Sequence, residues 1–188
     1  QQYIVEGMMG GAAFFDYDGD GDADLYVTDG STFDGMTRGL KPTNRLYRND
    51  RGTFTDVTAQ SGSGDTSWSM GVAAADYDND GLLDLWVTDF IFEYNALYHN
   101  EGDGTFNDAT RSANLALPSF GMVAWGGGFF DYDNDGFLDI YVANGHVHEN
   151  IDMLTDELTF AEPNQLFHNN GEGTFEDVSA RSGPHFTA

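Results

Sequence analysis

The chain has no cysteine, which excludes both a disulfide framework and a thiolate metal site. Basic residues are almost as scarce. Only 7 Lys and Arg stand against 32 Asp and Glu, a formal net charge of -25 that repels nucleic acid and anionic membrane surfaces. No apolar run approaches the roughly 18 residues of a spanning helix, so no membrane span is expected. No Asn-X-Ser/Thr sequon occurs, which excludes standard N-glycosylation. What is there is a chain of 188 residues, 40% apolar and 14% aromatic, with material for a core and with cations as its natural partners. Gln1 follows no charged and apolar leader, which fits a processed mature end or a piece of something longer, and secretion is an inference.

The acids cluster in one motif that occurs three times: "DYDGDGDADLYVTD" from Asp16, "DYDNDGLLDLWVTD" from Asp76 and "DYDNDGFLDIYVAN" from Asp131. The starts lie 60 and 55 residues apart, a period in the range of propeller blades. Each copy opens with a small, glycine-rich apolar run, "GGAAFF", "MGVAAA" or "WGGGFF", suited to a tightly packed inner strand. The acidic loop leads into a β-branched and aromatic second strand, "LYVT", "LWVT" or "IYVA". A third strand follows as "NRLYRN", "NALYHN" or "NQLFHN", then a tight polar turn and a fourth, "TFTDVT", "TFNDAT" or "TFEDVS". Four short strands per unit make a β-propeller blade, so the expected fold is all-β with three blades in one repeat domain over 1–188. The repeats are placed at 1–60, 61–112 and 113–188. Only "IDMLTDELTF" from Ile151 hints at a helical turn.

Carboxylates crowded at this spacing repel one another unless a cation joins them. Side-chain oxygens fall at loop positions 1, 3, 5 and 9: Asp16, Asp18, Asp20 and Asp24; Asp76, Asp78, Asp80 and Asp84; Asp131, Asp133, Asp135 and Asp139. Position 7 holds Asp22, Leu82 or Phe137, which share no side-chain chemistry, so it offers a backbone carbonyl. Ca²⁺ takes six to eight oxygens in irregular geometry, whereas Mg²⁺ holds its waters and prefers a strict octahedron. Gly21, Gly81 and Gly136 at position 6 permit the sharp turn. An EF-hand begins similarly but needs a Glu at position 12, where this chain has Val27, Val87 and Val142. A single such loop is equally a solvated hairpin; three with one spacing point to about three calcium ions, one per repeat.

These motifs resemble the FG-GAP or VCBS repeat family, known from integrin α-chain propellers and bacterial secreted proteins. "DYDNDGFLDIYVANGHV" with "NQLFHNNGEGTFEDVSARSGP" is similar to the cartilage-acidic-protein and UnbV-like group, which implies calcium-bound, usually seven-bladed propellers. Propellers close with about four to eight blades. Three blades therefore leave strand edges and apolar faces to be covered. The C-terminal "FEDVSARSGPHFTA" followed by the N-terminal "QQYIVEGMMGGAAFFDYDGDG" reads like a normal blade junction, so a second copy would continue the array head to tail as a ring or filament. The equally simple alternative is an arc of a larger propeller.

Outside the loops, chemistry is sparse. Insertions between strands two and three run from Asp29 to Pro42 and from Asn144 to Pro163, on the end away from the acidic loops, where repeat proteins often build a binding face. His146, His148 and Glu149 in "NGHVHEN" offer a transition-metal set, but polar-loop histidines are common and no further ligand is evident. His99 and His168 align with Arg48, which reads as a solvated strand face rather than a ligand position. Trp68, Trp86 and Trp125 read as core, although an exposed Trp stacks on sugars. No nucleophile motif is present, and the calcium spacing explains the carboxylates better than a glycosidase pair does. The expectation is a non-enzymatic, extracellular calcium-binding repeat protein with a structural, self-assembly or adhesion role. The alternative is a propeller piece that binds an extracellular protein or glycan through its strand two to three loops.

Overall fold

The computed structural model describes residues 10–30, 38–39, 43–155 and 159–186. The opening "QQYIVEGMM", most of the first insertion and part of "IDMLTDELTF" lie outside them. The described residues form three four-stranded antiparallel sheets, each built from strands consecutive in sequence. The first holds β1 (Ala12–Phe15), β2 (Asp24–Val27), β3 (Arg45–Asp50) and β4 (Thr53–Asp56). The second holds β5 (Ser69–Ala75), β6 (Asp84–Asp89), β7 (Ala96–Asn100) and β8 (Phe106–Asp108). The third holds β9 (Ala124–Phe130), β10 (Asp139–Asn144), β11 (Gln165–Asn169) and β12 (Phe175–Asp177). These are the three expected blades. Among the described residues helix is confined to short turns, including a 3-10 turn at Ile151–Met153 within the segment that hinted at one.

The second strands are apolar; β6, sandwiched between two blades, is buried along its whole length, while β2 and β10 each bury the face turned to the middle blade. Tyr26, Trp86, Leu85, Val87, Ile140 and Val142 are fully buried. Phe15, Tyr17, Tyr26 and Leu46 of the first blade meet Leu85, Val87, Tyr98 and Phe106 of the second. Across the second junction, Tyr77, Trp86 and Leu97 meet Ile140, Val142, Phe167 and Phe175. The inner strands approach backbone to backbone, as their small residues suggest. A Cβ on Gly11 would lie 2.9 Å from Gly71 Cα, and one on Gly71 would lie 3.2 Å from Gly126 Cα. Trp68 is buried and packs with Phe90 and the partly buried Trp125, while Trp86 lies in the blade core.

Among the described residues, the outer faces of the array lack that cover. Phe54 is 47% exposed where its counterparts Phe106 and Phe175 are at 7% and 3%, and Tyr132 is 38% exposed where Tyr17 and Tyr77 are at 5% and 4%. Phe14 and Phe130 are exposed on the same two end faces.

At the end of β6 away from the acidic loops, Asp89 is buried; its Oδ1 accepts a 2.7 Å hydrogen bond from Ser69 Oγ and its Oδ2 has no partner. Burial, then the charge of Asp65, pushes its carboxyl well above the usual range. Folding therefore retains a proton that the unfolded chain has released, and stability falls as pH rises from about 4 through the folded-state value. The third blade has the neutral Asn144 in this place. At fixed calcium, Asp89→Asn is expected to match the parent near pH 4 and to melt about 2–4 °C higher at pH 8, as thermal scans across that range would show.

Candidate metal loops

Each acidic loop joins the first and second strands of a blade, and backbone amides fix its shape. The first carboxylate ties the turn: Asp16 accepts from Asp20 and Gly21, Asp76 from Asp80 and Gly81, and Asp131 from Asp135 and Gly136. The carboxylate at position 5 accepts the amide at position 7, from Asp20 to Asp22, Asp80 to Leu82 and Asp135 to Phe137. Position 6 is glycine because φ there is 91–92°. Position 4 is also left-handed, with φ of 74° at Gly19 and 63° at Asn79 and Asn134, a restriction the sequence reading did not single out.

The ninth carboxylate is the anchor. Asp24, Asp84 and Asp139 are fully buried. One oxygen of each accepts the amide of the loop tyrosine, Tyr17, Tyr77 or Tyr132, at 3.0, 3.2 and 3.0 Å. The other accepts the amide of the third-strand asparagine, Asn49, Asn100 or Asn169, each at 2.8 Å. Two of those asparagines also join blades: Asn100 Nδ2 donates to Tyr17 O and Asn169 Nδ2 to Tyr77 O, whereas Asn49 Nδ2 donates to Ala23 O of its own blade.

Position 7 does more than expose a backbone carbonyl. Asp22 Oδ2 accepts the amide of Arg51, and a Cβ on Gly102 or Gly171 would collide with Leu82 or Phe137. Whatever its chemistry, this side chain covers the turn between the third and fourth strands, which places that turn beside the acidic loop.

Position 3 is where the loops are open. Asp78 Oδ1 is buried and has no hydrogen-bond partner. Its carboxyl is raised by burial and then by Asp80, and Asp18 is raised in the same way by burial and Asp20. Both shifts express a cost that a cation would offset. Donor oxygens of Asp16, Asp18 and Asp24, of Asp76, Asp78 and Asp84, and of Asp131, Asp133 and Asp135 lie within 4.8 Å of one another. Oxygen-only sets of this kind fit a hard dication such as Ca²⁺.

Two placements differ from the sequence reading. His99 and His168 are not on a solvated face; each is largely buried, with Nδ1 against its own loop, whereas Arg48 turns to Asp50 at 2.9 Å. The repeated histidine in two copies was the available signal. His146, His148 and Glu149 form no ligand group among the described residues: His146 Nδ1 accepts the backbone amide of His148, while His148 and Glu149 are exposed.

The FG-GAP-like repeat profile matches residues 16–87 and 88–142, well over half of the chain. The chain belongs to the FG-GAP-like repeat family. Together the matched stretches contain all three acidic loops, and each ends inside the second strand of a blade. No curated protein matches the chain. Among solved structures, an Agrocybe aegerita lectin that specifically recognises non-reducing terminal N-acetylglucosamine is 18% identical, with a TM-score of 0.42. That alignment covers 92% of this FG-GAP-like chain and 37% of the lectin. A likeness of this size assigns the chain no ligand. Among the described residues, no helix is long and apolar enough to cross a membrane.

Proposed function

We propose that the chain is a calcium-binding run of FG-GAP-like blades in an extracellular protein, with a structural role in self-assembly or adhesion rather than a catalytic one. The observation that carries this reading is the repeated loop. Amides tie its carboxylates at positions 1, 5 and 9, while the buried Asp78 Oδ1 at position 3 has no donor. The same loop architecture in three blades corresponds to about three ions, held by the twelve Asp side chains and the carbonyls of Asp22, Leu82 and Phe137. Millimolar calcium outside cells keeps even weak sites of this type filled. The motif "DYDNDGFLDIYVANGHV" supports placement with the cartilage-acidic-protein and UnbV-like group.

The exposed Phe54 and Tyr132 support stacking onto further blades, supplied by other copies of the chain or by more of the same protein, since their repeat counterparts are buried by a neighbouring blade. A second reading has one specific observation behind it. Near the loop after β6, a cleft of about 330 Å³ is lined by Phe92, Glu93, Tyr94 and Arg111, with the Arg111 guanidinium 5.1 Å from the Tyr94 ring centroid. Aromatic faces beside charged groups suit an extracellular protein or glycan ligand.

Calorimetric titration and melting of the full chain test the calcium reading. The parent is expected to take about three equivalents and to melt higher in millimolar calcium than after chelation. Asp78→Ala should lose one equivalent and part of the calcium-dependent rise, with little change in the chelated protein. A parent melting temperature indifferent to calcium overturns the reading.

A further inference from the structure

The second and third loops differ from the first in carrying an imidazole. His99 Nδ1 lies 3.4 Å from Asp78 Oδ2 and 3.3 Å from Asp84 Oδ1. In the next blade His168 Nδ1 lies 3.5 Å from Asp133 Oδ2 and 3.2 Å from Asp139 Oδ1. Both nitrogens are buried, and neither makes a hydrogen bond despite having two carboxylates this close. The imidazoles stand edge-on to the loop tyrosines, at 81° for Tyr77 with His99 and 82° for Tyr132 with His168, so both copies hold the ring alike.

We propose that these two loops, and not the first, also bind a transition-metal dication of the Zn²⁺ class through one imidazole nitrogen and two carboxylate oxygens. The inference rests on the loops being cation sites, but it concerns a different ion. Calcium prefers oxygen donors, whereas imidazole with carboxylate is the donor set of zinc and its first-row neighbours. The spacing fits. Ligands about 2.0–2.2 Å from a tetrahedral centre are separated by roughly 3.3–3.6 Å, close to the four nitrogen-to-oxygen distances in the two loops. The donors are brought together by structure already described: burial and two amides hold Asp84 and Asp139, and the third strand carries each histidine over the loop. The first loop is an internal control, because Arg48 fills the equivalent position and pairs with Asp50. Because the ions share carboxylates, calcium and the transition metal compete in the second and third loops.

The test is titration of the chelator-treated full chain with Co²⁺, followed by visible absorption, and separately with Ca²⁺. The parent is expected to bind two equivalents of cobalt with the intense bands of a nitrogen-containing, low-coordinate site, and millimolar calcium should weaken that binding. His99→Gln and His168→Gln should each bind one equivalent and the double variant none, while the double variant still binds calcium, which shows that its loops are intact. Arg48→His should add an equivalent. No cobalt uptake by the parent, or unchanged uptake by the double variant, overturns the proposal, and the calcium titration decides the calcium reading separately. Cobalt binding that follows the histidines in a chain that ignores calcium would overturn the calcium reading and leave this one standing.

Discussion

Trp86→Ala is expected to destabilise the chain by about 3–5 kcal/mol, the range for deleting a buried Trp or Phe side chain. The indole is fully buried between the second and third blades, among Leu97, Leu115, Ile140, Val142 and Phe167. It lies directly on the third blade's inner strand, where a Cβ on Gly127 would come within 2.8 Å of Trp86 Nε1. The glycine backbone cannot move in to fill the space, because β9 is fixed by its ladder to β10. Since whole domains are stable by only about 5–15 kcal/mol, one such loss is a large fraction of the total. Urea unfolding at constant calcium would measure it. A cost below about 1 kcal/mol would show that the junction is held elsewhere.

Asp84→Ala should be the most damaging change within the loops. Removing this carboxylate leaves the buried amides of Tyr77 and Asn100 without acceptors, at about 1–3 kcal/mol each. The variant should also lose one of the three proposed calcium equivalents. Asp84→Asn keeps one oxygen and should fall between the variant and the parent in unfolding free energy. Denaturant unfolding of the chelated proteins isolates the amide contribution from the metal. If alanine and parent unfold alike without calcium, the carboxylate is not the anchor described.

The blades were legible in the sequence because repetition supplied three readings of each strand. Gly21, Gly81 and Gly136 were legible because a turn with φ near 92° leaves few alternatives. The histidines were misread for a physical reason. Alignment with Arg48 assumed that equal positions mean equal surroundings, but a long arginine carries its charge away to Asp50 while a short imidazole must stay over the loop. Position 7 was similarly opaque, since Asp22 acts by hydrogen bonding and Leu82 and Phe137 by packing, and these roles share no residue type. Asp89 was hidden within an apolar strand, and only the folded surroundings show that one of its oxygens lacks a donor.

The asparagine links from Asn100 to Tyr17 and from Asn169 to Tyr77 give the molecule the thermodynamics of a short one-dimensional chain. The middle blade donates to one neighbour and accepts from the other, whereas each outer blade has a single such link. Stability then sums nearest-neighbour couplings, and opening starts at the termini and travels inward. Each added blade would convert a fraying end into an interior unit, so the coupling would favour long arrays or closed rings over short runs.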